Sequence, residues 1–368
     1  ERMDNYRKAF DALLEMGRVY PCYETPEELE YKRKRQLSRG KPPIYDRGAL
    51  DLGDDERAAF DSEGRPPHWR FKLDHTSIDW TDLVRGDVHF DGVNLSDPVL
   101  VRGDGTYLYM LPSAVDDIDM GITDVIRGED HVANTAVQMQ IFAALGAAAP
   151  TFAHTPLLTG MDGKGLSKRL GSLTVSSMRE DGIEAMAMNS YLAHVGTSDD
   201  VDVRPDLGEL VSDFDISHTG RGTPKFDAER LHALNAQTLH AMDFNTVSAR
   251  IADLGAEFAD DAFWQAVRPN LERLSDVMVW HDVCFGSVDP VIEIADFIAA
   301  ATEVLPPEPW DEGTWKTWTG DVKEATGAKG KELFKPLRLA ITGLDHGPEL
   351  KALLPIIGRE RILKRLNG

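Results

Sequence analysis

The chain has 368 residues, 42% of them hydrophobic, which is enough for two or three domains with cores of their own. Forty lysines and arginines stand against 62 acidic residues, and the formal net charge of −22 argues against nucleic acid as a partner unless the cations are clustered. Only two distant cysteines occur, Cys22 and Cys284, and no apolar run reaches the roughly 18 residues of a membrane helix. A disulfide framework and a membrane protein are therefore excluded, and we expect a cytoplasmic protein.

The first third of the chain mixes helical and strand patterns. Residues 4–17 carry apolar residues at helical spacing, which predicts an amphipathic helix. Thr25-Pro26-Glu27-Glu28 combines a capping box with a proline at the first helical position, and so predicts the start of a basic helix. Strands are predicted over residues 68–74, 87–93 and 98–112, with a hairpin turn at Asp104-Gly105. Residues 1–106 are therefore predicted to form an α+β module.

From residue 107 the pattern becomes strand, helix, strand. A short strand and a turn at residues 115–117 precede an apolar strand over 122–126, a helix over 131–145 and a second strand over 151–158. This predicts half of a nucleotide-binding fold, in which ligands bind beyond the carboxyl ends of the strands. Arg127 follows one of these ends.

Helical patterns dominate the remainder of the chain. Helices are predicted over residues 182–195, 227–237, 244–254, 271–283, 288–301, 331–341 and 358–366. The proline-rich segment at 306–309 predicts a hinge between helical subdomains.

A glycine-rich basic loop follows the second strand of the half fold. Its glycines allow the backbone to approach a ligand closely, and its cations favour a polyanion. The glycines are Gly160, Gly163 and Gly165, and the cations are Lys164, Lys168 and Arg169. Neither GxxxxGK[ST] nor GxGxxG is matched, because Gly165 follows Lys164 and Lys168 takes the place of the third glycine. Taken alone, the cluster could equally be a solvated surface turn.

Within this loop, GLSKR resembles the KLSKR signature of class I aminoacyl-tRNA synthetases, specifically of glutamyl-tRNA synthetases. Two further stretches resemble the same family in the same order, VDDIDMGITDVIRGEDHVANT over 115–135 and KGKELFKPLRLAITG over 329–343. The resemblance runs through essentially the whole chain and is most specific over residues 109–175.

The resemblance implies an α/β plus all-α fold with four regions. Residues 1–106 correspond to an acceptor-stem-binding insertion with the end of the first Rossmann half, and residues 107–174 to the second half of a Rossmann-type catalytic domain. Residues 175–243 correspond to a stem-contact domain, and residues 244–368 to a helical anticodon-binding region, where glutaminyl enzymes carry β-barrels instead.

The implied activity is that of a glutamate–tRNA ligase, which forms glutamyl adenylate from ATP and transfers glutamate to the 3′ end of tRNA(Glu). Mg²⁺ would enter with ATP, charging of tRNA(Gln) is left open, and a monomer without membrane association is expected. Because the attacking carboxylate is already ionised at pH 7, the chemistry needs cations and N–H groups rather than a general base. A non-catalytic tRNA-binding or regulatory paralogue is the alternative.

By the same resemblance, Lys168 would neutralise charge on the leaving pyrophosphate, with Lys164 and Arg169 assisting. Gly165 stands at the position where the family usually has the first lysine of the KLSKR motif. The residues expected beside ATP are Asp130, His131, Leu158, Leu166 and Lys168. The residues expected to bind glutamate are Tyr109, Arg127 and Ser113, the last at a position that commonly holds asparagine.

Each assignment has a purely structural alternative. Arg127 could pair with Glu129 or Asp130 as a salt bridge at the end of a strand, and Asp130 could cap the following helix. Tyr109 alone would be an ordinary core aromatic residue.

Cations are clustered in spite of the net charge, which favours contacts with tRNA phosphates, although each run could be an ordinary solvated helix face. The clusters are Lys32, Arg33, Lys34, Arg35, Arg39 and Lys41; Lys323, Lys329, Lys331, Lys335 and Arg338; and Arg359, Arg361, Lys364 and Arg365.

Two family features are missing from the sequence. Some relatives bind zinc near a Tyr-x-Cys-x-Cys stretch, but residues 20–24 offer only one thiolate, so no zinc is expected. The eleven histidines include no HxGH. We therefore expect that an N-terminal segment containing the HIGH element is missing, and that the polypeptide as given cannot activate glutamate by itself although the full-length protein does.

Overall fold

The computed structural model describes residues 2–166 and 174–368. The chain divides into two compact units, which are Glu1–Leu158 with Asp215–Pro224, and Thr159–Phe214 with Lys225–Gly368. None of the helices in the described residues is long and apolar enough to cross a membrane.

The first unit contains two sheets. The strands are β1 (Val19–Cys22), β2 (His68–Phe71), β3 (Ser77–Asp82), β4 (Gly86–Asp91), β5 (Val99–Val101), β6 (Asp124–Gly128) and β7 (Thr151–Thr155). One sheet is antiparallel in the order β1-β2-β5, and the other has the order β4-β3-β7-β6. In the second sheet, β7 runs parallel to both β3 and β6, whereas β3 and β4 form an antiparallel hairpin. The hairpin therefore extends the parallel sheet.

Five helices complete the first unit. They are α1 (Met3–Glu15), α2 (Pro26–Ser38), α3 (Asp54–Ser62), α4 (Met110–Met120) and α5 (Val132–Ala144). Apolar side chains of α1, α4 and α5, among them Leu13, Leu111 and Ile141, are fully buried in one cluster with residues of the sheets such as Phe71 and Phe152. The core of this unit therefore lies where these helices cover the strands.

Local sequence signals are confirmed at two places in this unit. The Thr25 hydroxyl accepts the Glu28 N–H, and the Glu28 carboxylate accepts the Thr25 N–H, so the predicted capping box starts α2. At Asp104-Gly105 the Arg102 N–H donates to the Thr106 carbonyl and Gly105 has φ +82°, as the predicted hairpin turn requires.

One other local prediction is wrong, and one strand was missed. The turn predicted at residues 115–117 lies inside α4, whose apolar residues Leu111, Ala114 and Val115 are buried on one face. The strand β3 was not predicted, although Ile78 and Asp82 are buried and alternate with exposed residues.

The second unit is helical in the part that the structure describes. Its helices are α6 (Val175–Glu180), α7 (Ala185–His194), α8 (Leu207–Asp213), α9 (Ala228–Ala241), α10 (Phe244–Asp253), α11 (Asp261–Val267), α12 (Val277–Phe285), α13 (Ala295–Glu303), α14 (Thr314–Thr326), α15 (Lys331–Thr342), α16 (Leu350–Ile357) and α17 (Arg359–Leu366). One core joins residues of α10 to α17 and includes the fully buried Trp264 and Trp318.

The predicted hinge at residues 306–309 is wrong. The helices on either side of it, α13 and α14, share one core through Ile298 and Trp318. The Arg359 side chain donates to the Pro306 carbonyl, and the Arg359 N–H donates to the Glu308 carboxylate. These contacts fix the segment against α17.

Candidate active site

The carboxyl ends of β6 and β7 bring two polar residues side by side. Arg127 on β6 is paired in register with His154 on β7. The chain then passes through Gly128 and a short turn into α5. A Cβ atom on Gly128 would lie 2.6 Å from Asp130 Oδ1 and 2.8 Å from Leu157 Cδ2. A larger residue at position 128 would therefore require the ends of these two side chains to shift.

The Arg127 guanidinium is held by four hydrogen bonds. Its Nε donates to His154 Nε2 at 3.3 Å, and its Nη1 donates to the Tyr109 hydroxyl at 2.9 Å. Its Nη2 donates to Thr135 Oγ1 at 2.6 Å and to Gln138 Oε1 at 2.7 Å. Of the five N–H groups of a guanidinium, one on Nη1 is left for a ligand.

None of these four partners is a carboxylate. Glu129 accepts a salt bridge from Arg85 at 2.8 Å instead, and within residues 2–166 and 174–368 no acidic group lies within ion-pair distance of Arg127. The alternative in which Arg127 pairs with Glu129 or Asp130 is therefore wrong. No carboxylate among the described residues therefore shares a hydrogen bond with this half-buried guanidinium, although its charge acts on Asp117, whose pKa is raised by burial and lowered in part by Arg127.

The three residues predicted to bind glutamate belong to one hydrogen-bonded network. Gln138, which accepts from Arg127, donates through Nε2 to Ser113 Oγ at 2.7 Å. Tyr109 is 49% exposed, and its ring meets the His131 ring edge-on at 5.6 Å. Because the Tyr109 oxygen accepts from Arg127, its proton is free to point toward a ligand. The tyrosine O–H and the remaining Nη1–H of Arg127 are thus two adjacent donors. A carboxylate would be bound by these two groups together and not by two N–H groups of Arg127 alone.

A buried acid–histidine pair lies behind the guanidinium. His154 Nδ1 is 2.5 Å from Asp82 Oδ2, and both side chains are fully buried. Asp82 Oδ1 also accepts the backbone N–H groups of Val84, Arg85 and His154 at 3.0 to 3.1 Å. Burial alone would raise the pKa of Asp82, but these hydrogen bonds lower it below its usual value. Sequence reasoning missed both residues.

Two of the residues predicted beside ATP, Asp130 and His131, lie at the start of α5. His131 Nε2 is 3.8 Å from Asp130 Oδ2, and His131 Nδ1 is 3.0 Å from the Asn134 amide nitrogen. Asp130 is exposed, and no side chain caps α5, so the alternative that Asp130 caps this helix is wrong. Leu158 is half-buried at the end of the first unit.

The first part of the glycine-rich loop belongs to the second unit and forms a closed turn. Thr159 pairs with Gly165, the Gly160 N–H donates to the Lys164 carbonyl at 2.8 Å, and Gly163 has φ +76°. The Lys164 side chain is 84% exposed and 3.8 Å from Asp162. Leu166 packs against a small core of the second unit that contains Tyr191, Phe226, Leu231 and Leu234. Lys168 and Arg169 lie outside the described residues.

Comparisons with known proteins bear on the family of the chain. Residues 1–233 match the family described as tRNA synthetases class I (E and Q), catalytic domain. The chain belongs to this family. Residues 261–368 match an anticodon binding domain. The family resemblance drawn from the GLSKR loop and from residues 115–135 is therefore confirmed, as is the α/β plus all-α fold class.

Individual relatives span the whole chain. A glutamate–tRNA ligase 2 of Methylorubrum populi is 56% identical over 369 residues, covering 100% of this chain and 82% of the relative. A glutamate–tRNA ligase of Azospirillum brasilense is 58% identical over 358 residues, covering 97% of this chain and 80% of the relative. The crystal structure of a glutamate tRNA ligase from Elizabethkingia meningosepticum in complex with its amino acid has a TM-score of 0.82 at 25% identity, covering 100% of this chain and 82% of that one.

One group of potential metal ligands lies in the part of this synthetase chain that the structure describes. Donor atoms of Cys22, Glu24 and His68 all lie within 4.8 Å of one another. Lys32 Nζ at 3.1 Å and the Tyr45 hydroxyl at 2.8 Å both donate to Glu24 Oε1, whereas Glu24 Oε2 and His68 Nε2 are buried without a hydrogen-bond partner among the described residues. Burial raises the pKa of the Cys22 thiol to about 11, which disfavours the thiolate that zinc requires. The group also has three donors, one fewer than a structural zinc site takes, and the expectation of no zinc stays a prediction.

Two cations of the predicted tRNA-facing clusters are structural. Arg365 is 5% exposed and donates to the carbonyls of Ile341 and Val283 at 2.8 and 2.7 Å. Arg338 is half-buried and donates to the Pro348 carbonyl at 3.0 Å. The placement of these two in phosphate-binding patches is therefore wrong, and their neighbours on the exposed helix faces remain candidates.

Proposed function

We propose that the chain acts as a glutamate–tRNA ligase that forms glutamyl adenylate from ATP and glutamate and then transfers glutamate to the 3′-terminal ribose of tRNA(Glu). The observation that carries the proposal is the Arg127 guanidinium beside the Tyr109 hydroxyl, because none of its four hydrogen-bond partners is a carboxylate. A positive charge held by four neutral partners favours a substrate that brings its own carboxylate.

In this proposal, Arg127 and Tyr109 bind one carboxylate of glutamate, and Ser113 fixes Gln138, which in turn holds Arg127. Fixed donors of this kind need no reorganisation when the substrate enters. Glutamate would be distinguished from glutamine by charge, because the neutral amide would leave the guanidinium without a counter-ion.

Asp130, His131, Leu158 and Leu166 would border ATP, and the cations Lys164, Lys168 and Arg169 would neutralise the leaving pyrophosphate. Mg²⁺ would enter bound to the phosphates of ATP, and we assign it no protein ligand.

The four regions with boundaries at residues 106, 174 and 243 are part of the proposal, as are a monomeric state and a cytoplasmic location. Both cysteines are free thiols in the structure, which supports a reducing compartment. The charging of tRNA(Gln) stays open.

The test is a charging assay of the complete native protein with labelled glutamate, ATP and tRNA(Glu), repeated on Arg127→Gln. Loss of a charge-assisted hydrogen bond costs about 1.5–3 kcal/mol, so KM for glutamate should rise roughly 10-fold to 150-fold while KM for ATP stays nearly constant. Arg85→Gln is the matched control, because Arg85 is neutralised by Glu129. A wild-type protein that binds tRNA without charging it would be the non-catalytic paralogue instead.

A further inference from the structure

A layer of buried polar side chains lies between the sheet and α5, where apolar packing would be ordinary. Its members are Asp82 on β3, His154 on β7, and Thr135 and Gln138 on α5, and none is more than 1% exposed. Burying a polar group is unfavourable unless its hydrogen bonds are satisfied, and burying a carboxylate is more so. Such a layer needs a reason beyond packing.

The hydrogen bonds of this layer run in one direction. Arg127 Nη2 donates to the Thr135 hydroxyl at 2.6 Å, whose oxygen lies 2.9 Å from His154 Nε2. Arg127 Nε donates to the same His154 nitrogen at 3.3 Å. His154 Nδ1 in turn faces Asp82. The donations of Arg127 are satisfied when the Thr135 oxygen and His154 Nε2 accept and His154 Nδ1 donates to Asp82.

This direction fixes the state of the imidazole. An ionised Asp82 can only accept, so His154 Nδ1 must carry a proton. His154 Nε2 is then the unprotonated nitrogen of a neutral ring and accepts the Arg127 Nε–H, whereas the Thr135 hydroxyl can donate either to Nε2 or to the His131 carbonyl at 3.5 Å. Burial is the largest cause that lowers the pKa of His154, and the nearby Arg127 lowers it further, so the ring is neutral at pH 7.

We infer that Asp82 and His154 are positioning residues of the synthetase site. Asp82 selects the Nδ1–H tautomer of His154, and His154 then acts as a neutral acceptor that orients the Arg127 guanidinium without cancelling its charge. This inference rests on the proposed function, since it assigns Arg127 to the substrate carboxylate. A carboxylate placed directly against Arg127 would hold it equally well but would neutralise it.

The substitution Asp82→Asn tests the inference. Three backbone N–H groups hold Oδ1, so the new amide would turn its NH₂ group toward His154 and donate to Nδ1. The proton would move to Nε2, where it would oppose the N–H of Arg127, as wrong-tautomer substitutions do elsewhere. We expect KM for glutamate to rise about tenfold or more with KM for ATP and kcat within about threefold of wild type.

The tautomer itself is read by ¹⁵N NMR of the histidine ring nitrogens in the complete native protein, with His154→Gln used to assign the signals. The wild type should show a protonated Nδ1 and a bare Nε2, and Asp82→Asn should show the reverse. The matched control is Asp79→Asn on the same strand, whose contact with His89 at 2.7 Å is solvent-exposed, and it should leave KM for glutamate unchanged.

The outcomes separate the inference from the proposed function. A wild-type His154 that is an imidazolium or carries its proton on Nε2 overturns the inference, as does Asp82→Asn with unchanged KM for glutamate in an active enzyme. A wild-type protein that does not charge glutamate overturns the proposed function, and the wild-type tautomer still decides the inference. If Asp82→Asn does not fold, Thr135→Val should raise KM for glutamate while Thr135→Ser restores it, and equal values for the two overturn the inference.

Discussion

Arg365 and Lys364 are adjacent cations on the last helix, and the structure gives them opposite roles. Arg365 donates to three carbonyls, those of Ile341, Val283 and Gly286, at 2.8, 2.7 and 3.4 Å. Lys364 is exposed. Replacing each residue with methionine removes the same charge and introduces the same side chain, so the pair separates a structural cation from a surface cation.

The size of the effect follows from the contacts. Arg365→Met leaves the two closest carbonyls buried without a donor, which costs about 1–3 kcal/mol each. Part of this is offset, because burial of the charge is itself unfavourable and lowers the pKa of Arg365. We expect a net loss of about 3 kcal/mol in the free energy of unfolding. For a unit of about 200 residues this lowers Tm by about 6–12 °C.

The assay is thermal unfolding followed by far-ultraviolet circular dichroism, which reports on the helices of the second unit. Lys364→Met should unfold within about 0.5 kcal/mol of the wild type, as surface substitutions usually do. Equal melting temperatures for the two variants would refute the argument that buried carbonyls depend on Arg365.

Two further predictions concern the loop and a buried histidine. Lys168→Ala should slow glutamate-dependent pyrophosphate exchange roughly a hundredfold, because one preorganised charge contact stabilises the transition state by on the order of 3 kcal/mol. Glutamate binding should change little. An exchange rate within a few-fold of wild type would show that Lys168 does not have this role. Burial, followed by repulsion from Arg70, lowers the pKa of His68 to about 4, so the unfolded chain binds more protons than the folded one between pH 6.5 and 4. The free energy of unfolding should therefore fall as the pH falls through this range. His68→Gln should make the free energy of unfolding depend less on pH, as measured by urea unfolding at pH 7, 5.5 and 4.5. An unchanged pH dependence in this variant would contradict the lowered pKa of His68.

Features that depend on neighbours in the chain could be read directly from the sequence. The capping box at Thr25 and the turn at Asp104-Gly105 are satisfied within a few residues, so local chemistry decides them. Short apolar periodicity was less reliable. The helix predicted over residues 288–301 begins only at Ala295, since Pro290 and the restricted residue before it do not continue a helix.

The sequence motifs shared with the family also located Tyr109, Ser113 and Arg127. In the structure, Arg127 is hydrogen-bonded to Tyr109 and to Gln138, and Gln138 is hydrogen-bonded to Ser113. Their roles toward glutamate stay predictions, as do those of the residues assigned to ATP.

What supports Arg127 was decided only by tertiary structure. Asp82 is 72 positions before His154, and the two meet because β3 and β7 are paired as parallel neighbours in one sheet, with Asp82 opposite Phe152. Burial has the same long-range origin. The sequence alone gives adjacent residues such as Lys364 and Arg365 the same charge and a similar length, and it cannot show which of them turns into the core. That choice depends on where three carbonyls from other segments end up, because a buried guanidinium is tolerated only where distant backbone groups accept its hydrogen bonds.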